Sequence, residues 1–368
     1  MILDAPTSRR GSLANRLHLD MPLLIGLLLL SGVSLAVLYS VDAGRVDQQL
    51  LRLGLGFVGM LVLAQIPPEN YVRWTPWIYA AAVALLIAVL VAGIAGKGAQ
   101  RWIGIGGFRF QPSELMKLAM PMMVAWYLRE VSLPPGPKKI FAALLIVAFP
   151  TLLIAKQPDL GTALLVAGAG IFVLLFSGIP FKLLGLASLL LAPMAALLWE
   201  FGMHDYQRQR VLTFLTPESD PLGAGYHVIQ SKIAIGSGGL YGKGWLNGTQ
   251  SHLEFLPERH TDFIFAVFGE EFGLLGGVLL LSIYLFVVWR GLYIAAQAQE
   301  TYGRLLAGGL IMTFFIYFFV NIGMVAGLLP VVGLPLPLIS FGGTSMVTIM
   351  ASFGILMSIH THRKLLKG

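Results

Sequence analysis

The residues best placed for chemistry lie in the segment 256–271, where several ionisable side chains stand directly before a long apolar run. Glu258, Arg259, His260 and Asp262 occupy this position in a chain that is 57% hydrophobic and only 12% charged. An ionisable group turned into a membrane must be paired or used, and so it marks a candidate functional site. A carboxylate here can act as a general base, and Asp262 is our candidate. An aspartate before a helix is also a common N-cap, and this structural role stays open.

A second group of charges surrounds the start of another apolar segment, within 101–117. Pro112 predicts a helix start, and Glu114 and Lys117 are three residues apart, so they share one helical face. A surface ion pair would explain this spacing. Arg101 and Arg109 lie just upstream, however, and the helix continues into an apolar run. The grouping therefore favours a site for an anionic substrate.

Three further motifs carry charge near the ends of apolar segments. Asp159 lies between two such segments, where a turn and a site are equally good explanations. Arg208 and Arg210 could bind phospholipid head groups or a pyrophosphate, because guanidinium groups match phosphate oxygens. Glu270 and Glu271 lie inside the helix that follows Asp262, and we expect them to be partners for buried donors.

The composition excludes several other chemistries. The chain of 368 residues has no cysteine, so disulfides, thiolate metal sites and cysteine nucleophiles are excluded. The glycine-rich segment 236–244 lacks the pattern of a Walker loop, and the seven histidines show no metal-ligand spacing. In a membrane protein, the formal net charge of +7 indicates cationic loops beside anionic head groups rather than nucleic-acid binding.

Long apolar segments must position these residues, and they predict an all-α polytopic membrane protein. Windows long enough to cross the hydrocarbon core give about ten spans. The predicted spans are 21–40, 49–66, 74–95, 113–129, 140–155, 160–181, 183–202, 263–289, 305–328 and 342–360. No soluble domain interrupts them, so we expect a single membrane domain over residues 1–368.

The longest non-spanning segment, about 204–261, predicts a large loop between the seventh and eighth spans. Its apolar residues indicate a short surface helix around 226–235, followed by the glycine-rich turn 236–244. Lysine and arginine in the connections 129–139 and 290–304 and in the C-terminal tail predict that both termini are cytoplasmic. The large loop and the candidate site residues would then lie at the outer face.

The chemistry of these residues fits two classes of protein almost equally. Cations can stabilise a diphosphate leaving group and a carboxylate can deprotonate a hydroxyl, which together suit transfer from a polyprenyl diphosphate carrier. A flippase or ion-coupled transporter also places charged groups in broken helices. The charges here gather at one face, and no clear internal repeat is present, which favours an interfacial enzyme.

Six motifs resemble the SEDS family, and the resemblance runs over nearly the whole chain. They are RFQPSE at 109–114, QPDLG at 157–161, HDYQRQR at 204–210, DPLGAGY at 220–226, LPERHTDF at 256–263 and PLISFGG at 337–343. Arg259 and the turn at 327–335 resemble the elongation branch of this family rather than its division branch. That branch typically has a tyrosine where this chain has Phe341, which removes any role for a hydroxyl there.

The resemblance implies a peptidoglycan glycosyltransferase with ten transmembrane helices that polymerises lipid II at the outer face of the bacterial inner membrane. It also implies roles in cell elongation and rod shape, with a class B penicillin-binding transpeptidase and other membrane proteins of the elongation complex as partners. It places the essential aspartate at Asp262. It places the substrate-binding residues at Arg109, Gln111, Glu114, Lys117, Asp159 and Arg210. It leaves open a divalent cation, Mg²⁺ or Mn²⁺, and it implies no nucleotide cofactor.

The resulting hypothesis is an inverting transfer in which Asp262 deprotonates the 4-hydroxyl of the acceptor sugar. Undecaprenyl diphosphate would leave, held by Lys117 and Arg210, while Glu114 orients these cations or helps to bind a metal. A lipid II flippase is the alternative function. A scaffold that only recruits the transpeptidase is a third possibility.

Overall fold

The computed structural model describes residues 17–96, 99–105, 108–180, 205–216, 224–249 and 258–362, with isolated positions between 182 and 203. Most of these residues are helical. In chain order the helices are α1 (Met21–Val41), α2 (Val46–Ala64), α3 (Pro68–Ala92), α4 (Pro112–Leu128), α5 (Pro137–Lys156), α6 (Leu160–Phe176), α7 (Asp205–Leu215), α8 (Ala224–Ser237), α9 (Ile264–Gln297), α10 (Thr301–Val325) and α11 (Thr344–Thr361).

The prediction of a purely helical protein needs one correction, because a small sheet lies between α3 and α4. Its strands are β1 (Ile94–Gly96), β2 (Ala99–Ile105) and β3 (Phe108–Phe110), paired antiparallel in the order β1-β2-β3. The sequence pattern gave no strand here, because the segment is short and rich in glycine. The sheet carries Arg101 on β2 and Arg109 on β3 to the start of α4.

The described helices include seven that are long and apolar enough to cross a membrane, which makes the chain a multi-pass membrane protein. Helix α2 has apolar residues on both its outer and inner faces. Leu51, Leu55 and Val62 are exposed, whereas Leu53 and Met60 are buried. A helix that is apolar on both its inner and outer faces suits a lipid environment. The most buried of the seven candidate spans is α10, which therefore forms the centre of the bundle.

Nine of the ten predicted spans coincide with a described helix, and several helices are longer than their apolar windows. Helix α3 starts at Pro68 rather than 74, and α9 continues to Gln297 rather than 289. The windows ended at charged residues such as Arg73 and Arg290, but long charged side chains at a membrane edge can snorkel without ending a helix. The predicted seventh span, 183–202, lies mostly outside the described residues, so the count of ten stays a prediction.

At the end of the bundle away from the candidate residues, Asp20 joins three helices. It is the N-cap of α1, where its carboxylate accepts a hydrogen bond from the Leu23 amide at 2.9 Å. It also accepts two hydrogen bonds from Arg290 of α9 and lies 3.3 Å from His360 of α11. Burial raises the pKa of Asp20, but Arg290 and the Leu23 amide outweigh this effect and lower it overall. The carboxylate therefore stays charged and holds α1, α9 and α11 together.

Helix α9 is broken at Gly273, which has φ 65° and ψ −163°. The break leaves backbone groups without helical partners in an apolar setting, where each must be satisfied internally. The predicted glycine-rich turn 236–244 follows α8 and supplies these partners. The four backbone hydrogen bonds run from Lys243 to Glu270, from Gly244 to Glu271, from Leu274 to Gly239 and from Leu275 to Leu240.

The side chains of Glu270 and Glu271 support the same junction. Glu270 is fully buried and accepts hydrogen bonds from the Lys243 ammonium at 2.7 Å and the Thr249 hydroxyl at 3.1 Å. Glu271 accepts a hydrogen bond from the Ser40 hydroxyl. The expectation of a buried donor is confirmed for Glu271, whose partner Ser40 is buried, whereas the donors to Glu270 are partly or fully exposed.

We expect Gly242→Ala to destabilise the protein by about 2 kcal/mol or more. Gly242 has φ +81°, where a non-glycine residue is strained, and an added Cβ would collide with the backbone carbonyl of Glu271. Gly236→Ala is the matched control, because no atom lies within 4 Å of the Cβ it would add. Thermal unfolding of both purified variants in detergent measures the difference. Equal unfolding temperatures would show that the turn does not support the break in α9.

Candidate functional site

Glu114 and Lys117 form a buried ion pair in the first turns of α4. The helix begins at Pro112 with Gln111 as N-cap, close to the predicted start. The two side chains are 4% and 5% exposed, and Lys117 Nζ lies 2.7 Å from Glu114 Oε1. The interpretation as a surface pair is therefore wrong. Glu114 Oε2 is also buried and has no hydrogen-bond partner among the residues that the structure describes.

Lys117 also contacts the central helix α10 through Tyr317. The ammonium donates a hydrogen bond to the tyrosine hydroxyl and lies 4.7 Å from the centre of its ring. Tyr317 is only 2% exposed. An ammonium removed from water interacts strongly with an anion, so this position is suited to a negatively charged ligand that can displace or share Glu114.

Asp159 is the N-cap of α6 and also belongs to a polar cluster, while its role in a site stays a prediction. Its Oδ1 accepts a hydrogen bond from the Thr162 amide at 3.3 Å. Its Oδ2 accepts one from Gln111 Nε2 at 3.2 Å and lies 3.6 Å from Arg101 Nε. Arg101 also donates to the carbonyl of Pro158. The sheet and the start of α4 thus meet the start of α6 at this carboxylate.

Asp262 lies two positions before Ile264, the first residue of α9. The N-cap of α9 is Phe263, which has no side-chain capping bond, so the interpretation of Asp262 as the N-cap is wrong. The Asp262 side chain is partly exposed. A partly exposed carboxylate can reach a substrate.

Asn321 of α10 holds the backbone on both sides of this site. It is fully buried, and its Nδ2 donates to the carbonyl of Asp262 at 2.9 Å and to that of Leu334 at 2.7 Å. Ser340 reinforces the arrangement, because its hydroxyl donates to the Thr261 carbonyl at 2.6 Å and accepts from the Leu336 amide at 2.7 Å. The segment 258–263 is therefore fixed against α10 and against the segment that joins α10 to α11.

That joining segment also connects Asp262 to the Asp159 cluster. Gly161, at the start of α6, packs so closely that a Cβ there would lie 2.8 Å from the carbonyl oxygen of Val332. Gly333, which follows Val332 in the chain, has φ +72°, and a Cβ there would lie 3.6 Å from Asp262 Oδ2. The backbone at 332–333 thus lies between the two carboxylates. Any side chain at Gly333 would be strained and would fill the space beside Asp262.

Tyr317 and Asn321 lie one helical turn apart on α10 and so share a face. One contacts Lys117 and the other contacts Asp262, so this face brings the two predicted groups of charges to the same end of the bundle. The structure places Gln111, Glu114, Lys117, Asp159 and Asp262 around this end. The backbones of Arg109 and Arg210 lie in β3 and α7, and their side chains are outside the part that the structure describes.

Tyr317 and Asn321 are not among the site residues predicted from the sequence. A signal was present, because Asn321 is a polar amide within an uncharged apolar run, and such residues commonly hydrogen-bond between transmembrane helices. The identity of its partners could not be deduced, since Asp262 is 59 positions away.

His260 forms the other side of the Asp262 segment. Its carbonyl accepts a hydrogen bond from the Phe341 amide at 2.8 Å, and its ring packs edge-on against the Phe341 ring at 6.1 Å. Burial lowers the pKa of His260, and the nearby positive charge of Arg45 lowers it further. The imidazole is therefore neutral at physiological pH.

Comparisons with known proteins find similarity over nearly the whole chain. The FtsW/RodA/SpoVE family of cell cycle proteins matches residues 15–365. The chain is 56% identical over 355 residues to the peptidoglycan glycosyltransferase MrdB of Escherichia coli K12, covering 96% of each sequence. It is similar to a solved peptidoglycan synthase complex that coordinates polymerization and crosslinking (TM-score 0.81, 29% identity, 94% and 99% coverage). It is also similar to the rod shape determining protein RodA of Thermus thermophilus (TM-score 0.71, 27% identity, 94% and 98% coverage).

We expect Glu114→Gln and Lys117→Met to destabilise the protein separately by about 3–5 kcal/mol, because each leaves a buried charge without its partner. The double variant should recover most of this loss, so the two changes should be strongly non-additive. Denaturant unfolding of the purified variants in detergent measures the coupling.

The control is the pair Arg129 and Glu130, 2.9 Å apart at the protein surface. Its coupling should stay below about 1 kcal/mol. Simple additivity at Glu114 and Lys117 would contradict their description as a buried pair.

Proposed function

The chain belongs to the SEDS family, the FtsW/RodA/SpoVE cell cycle proteins, and on this premise we propose that its site joins lipid II units into glycan strands and releases undecaprenyl diphosphate. It is a peptidoglycan glycosyltransferase, given 56% identity to MrdB over nearly the whole chain. Its similarity to MrdB and RodA confirms the predicted elongation branch. The flippase alternative is not favoured, because the relatives named for an activity are glycosyltransferases.

The observation that carries the assignment of roles is the held backbone of Asp262. A general base needs a fixed position and access to the proton it accepts. The hydrogen bonds from Asn321 and Ser340 fix the position of the backbone, and the partial exposure of the carboxylate gives access to the proton. Asp262 would take the proton from the acceptor's 4-hydroxyl as that oxygen attacks the anomeric carbon of the donor, which inverts its configuration.

The leaving diphosphate would bind at Lys117. In the apolar surroundings of α4 and α10, its ammonium can stabilise the charge that develops on the departing oxygens, while Glu114 and Tyr317 orient it. We propose that Arg210 shares this role. We propose that Arg109, Gln111 and Asp159 contribute to binding the rest of the substrate, with Gln111 and Asp159 already joined by a hydrogen bond.

A resident metal ion has no support from the described residues, which contain no group of three or more possible histidine or carboxylate ligands. A cation such as Mg²⁺ can instead arrive with substrate phosphates and need only one or two protein carboxylates. We propose that Mg²⁺ or Mn²⁺ would enter in this way, with the buried Oε2 of Glu114 as its protein ligand. The roles of the other residues do not depend on it.

The proposed partners are a class B penicillin-binding transpeptidase and other membrane proteins of the elongation complex. The similarity to a synthase complex that couples polymerization to crosslinking supports the first. We further propose that the chain is one domain of ten transmembrane helices in the bacterial inner membrane, with both termini cytoplasmic. The loop 204–261 and the site would then face outward, where lipid II is polymerised.

We expect Asp262→Asn to lower the rate of lipid II polymerisation at least about 100-fold, since general-base catalysis contributes about 10²–10⁴-fold. Binding of lipid II should be retained. The assay uses purified protein with its transpeptidase partner and separates the glycan products by length. Asp47→Asn is the matched control, because Asp47 is exposed in the first turn of α2.

Polymerisation at the parent rate by Asp262→Asn would remove the base assignment. Transfer of labelled lipid II between leaflets by the parent, with no glycan formed, would favour the flippase instead. If charge-neutralising changes at Glu114, Lys117 and Asp262 left the activity of the complex intact, the chain would be a scaffold.

We expect Asn321→Asp to lower kcat about tenfold or more with little change in the KM for lipid II. The substitution keeps the size of the side chain but removes the donors to the carbonyls of Asp262 and Leu334, which leaves buried acceptors unsatisfied. Thr313→Val on the same helix is the control, because that buried hydroxyl donates to the Gly309 carbonyl within α10. Equal losses in both variants would mean that Asn321 does not position the base.

A further inference from the structure

Two arginines of one helix contact the same aromatic ring beside the catalytic segment. Arg52 lies in the second turn of α2, and its guanidinium carbon is 4.1 Å from the centre of the Phe341 ring. Arg45, the N-cap of α2, places its guanidinium carbon 5.2 Å from the same centre. The separation of the two guanidinium groups cannot exceed the sum of these distances, so two positive charges are held close together.

Arg52 lacks an acidic partner within the described residues. Its side chain is partly buried, and stacking on Phe341 is its contact there. Arg45 has Asp42, whose carboxylate accepts from Nε at 2.6 Å, so its terminal nitrogens remain for another acceptor. A guanidinium carries five donors, and two like charges placed close together on one ring favour the binding of an anion. The phenyl ring of Phe341 orients both groups and has no hydroxyl to occupy their donors.

This arginine pair is attached to the segment that carries Asp262. The Phe341 amide donates to the carbonyl of His260, two residues before Asp262, and the positive charge of Arg45 acts on the His260 ring. The pair belongs to the start of α2 and stacks on Phe341 in the segment before α11, whereas Lys117 belongs to α4 and contacts α10. The end of the bundle that holds the site therefore has two separate cationic positions, with Asp262 connected to both.

The proposed polymerisation brings together two substrates that each carry a polyprenyl diphosphate. The bond that forms joins the acceptor's 4-oxygen to the donor's anomeric carbon, and the bond that breaks joins that carbon to the donor's diphosphate. The hydroxyl proton goes to Asp262, and the acceptor's own diphosphate stays intact. Two anionic groups must therefore be bound at once, and Lys117 accounts for one.

We propose that Arg45 and Arg52 bind the diphosphate of the acceptor, the substrate whose diphosphate is retained. This inference rests on the proposed function. Guanidinium groups match phosphate oxygens in pairs of hydrogen bonds, and the site lies beside His260 rather than at Asp262 itself. This placement fits a substrate whose attacking hydroxyl and diphosphate are at opposite ends of a disaccharide. A phospholipid head group offers the same phosphate chemistry, so the experiment must distinguish the two sources.

The test is the number of undecaprenyl diphosphate molecules bound by the full chain in neutral phosphatidylcholine nanodiscs, counted by native mass spectrometry. The parent should bind two. Arg52→Gln and Lys117→Met should each bind one, and the variant with both changes should bind none. Arg45→Gln and Arg52→Lys should weaken the second site roughly tenfold, which matches the loss of one charged hydrogen bond. Arg45→Gln and Arg52→Lys are milder changes, and they replace Arg52→Gln in the binding test if that variant folds poorly.

The matched control is Arg129→Gln, because that arginine also stacks on an aromatic ring, Trp126, but at the opposite end of α4. It should still bind two molecules. In the polymerisation assay, Arg52→Gln should raise the KM for lipid II about tenfold and leave kcat nearly unchanged.

Three outcomes would overturn the assignment of the arginine pair. One is a parent that binds a single undecaprenyl diphosphate, and another is an Arg52→Gln variant that still binds two. The third is a polymerisation rate that depends on phosphatidylglycerol in the parent and no longer does so in Arg52→Gln, while the KM for lipid II is unchanged. This result would identify a phospholipid site. Failure of the proposed function would look different, since the parent would then bind the diphosphate lipid and form no glycan.

Discussion

The buried amide of Asn321 is the contact on which the geometry of the site depends. Its two donors hold the carbonyls of Asp262 and Leu334, which belong to segments on either side of α10. Tyr317, one turn earlier on the same helix, holds the Lys117 ammonium. Because α10 is the most buried candidate span, its position is set by packing on several sides. The proposed base and the cation proposed to bind the leaving group are therefore positioned by one rigid element rather than by flexible loops.

The same requirement, that polar groups in apolar surroundings find partners within the chain, explains the broken helix α9. Its break at Gly273 leaves backbone groups without helical partners, and the glycine-rich turn supplies the missing hydrogen bonds. Glycine is needed at positions such as Gly242 because backbone approaches backbone directly there. A feature with the composition of a phosphate-binding loop thus serves to complete a helix.

The proposed functions assign the two cationic positions at the site end to different diphosphates. The buried pair of Glu114 and Lys117 keeps a cation neutralised in the apolar bundle, which limits the unfavourable burial of a lone charge. In the proposed function, an anionic group of the substrate takes over this role. Arg45 and Arg52 lie nearer the surface, where stacking on Phe341 replaces part of the lost hydration. Asp262 is linked to Lys117 through Asn321 and Tyr317 of α10, and to the arginine pair through His260 and Phe341. A glycosyl transfer that separates one diphosphate while retaining another needs such a division.

The amino-acid sequence by itself determined the membrane class, the positions of nine described helices, the start of α4 and the structural roles of Glu270 and Glu271. These properties follow from local hydropathy, helix-start residues and charge spacing, which are sums over neighbouring positions. Only the tertiary structure decided that Glu114 and Lys117 are buried, that Asp262 lies outside α9 rather than capping it, and that a small sheet brings Arg101 to Asp159. Tyr317, Asn321 and the arginine pair acquire their roles from helices that are distant in sequence, such as the 200 positions between Lys117 and Tyr317. Such contacts depend on which helix faces meet, and no local pattern specifies that.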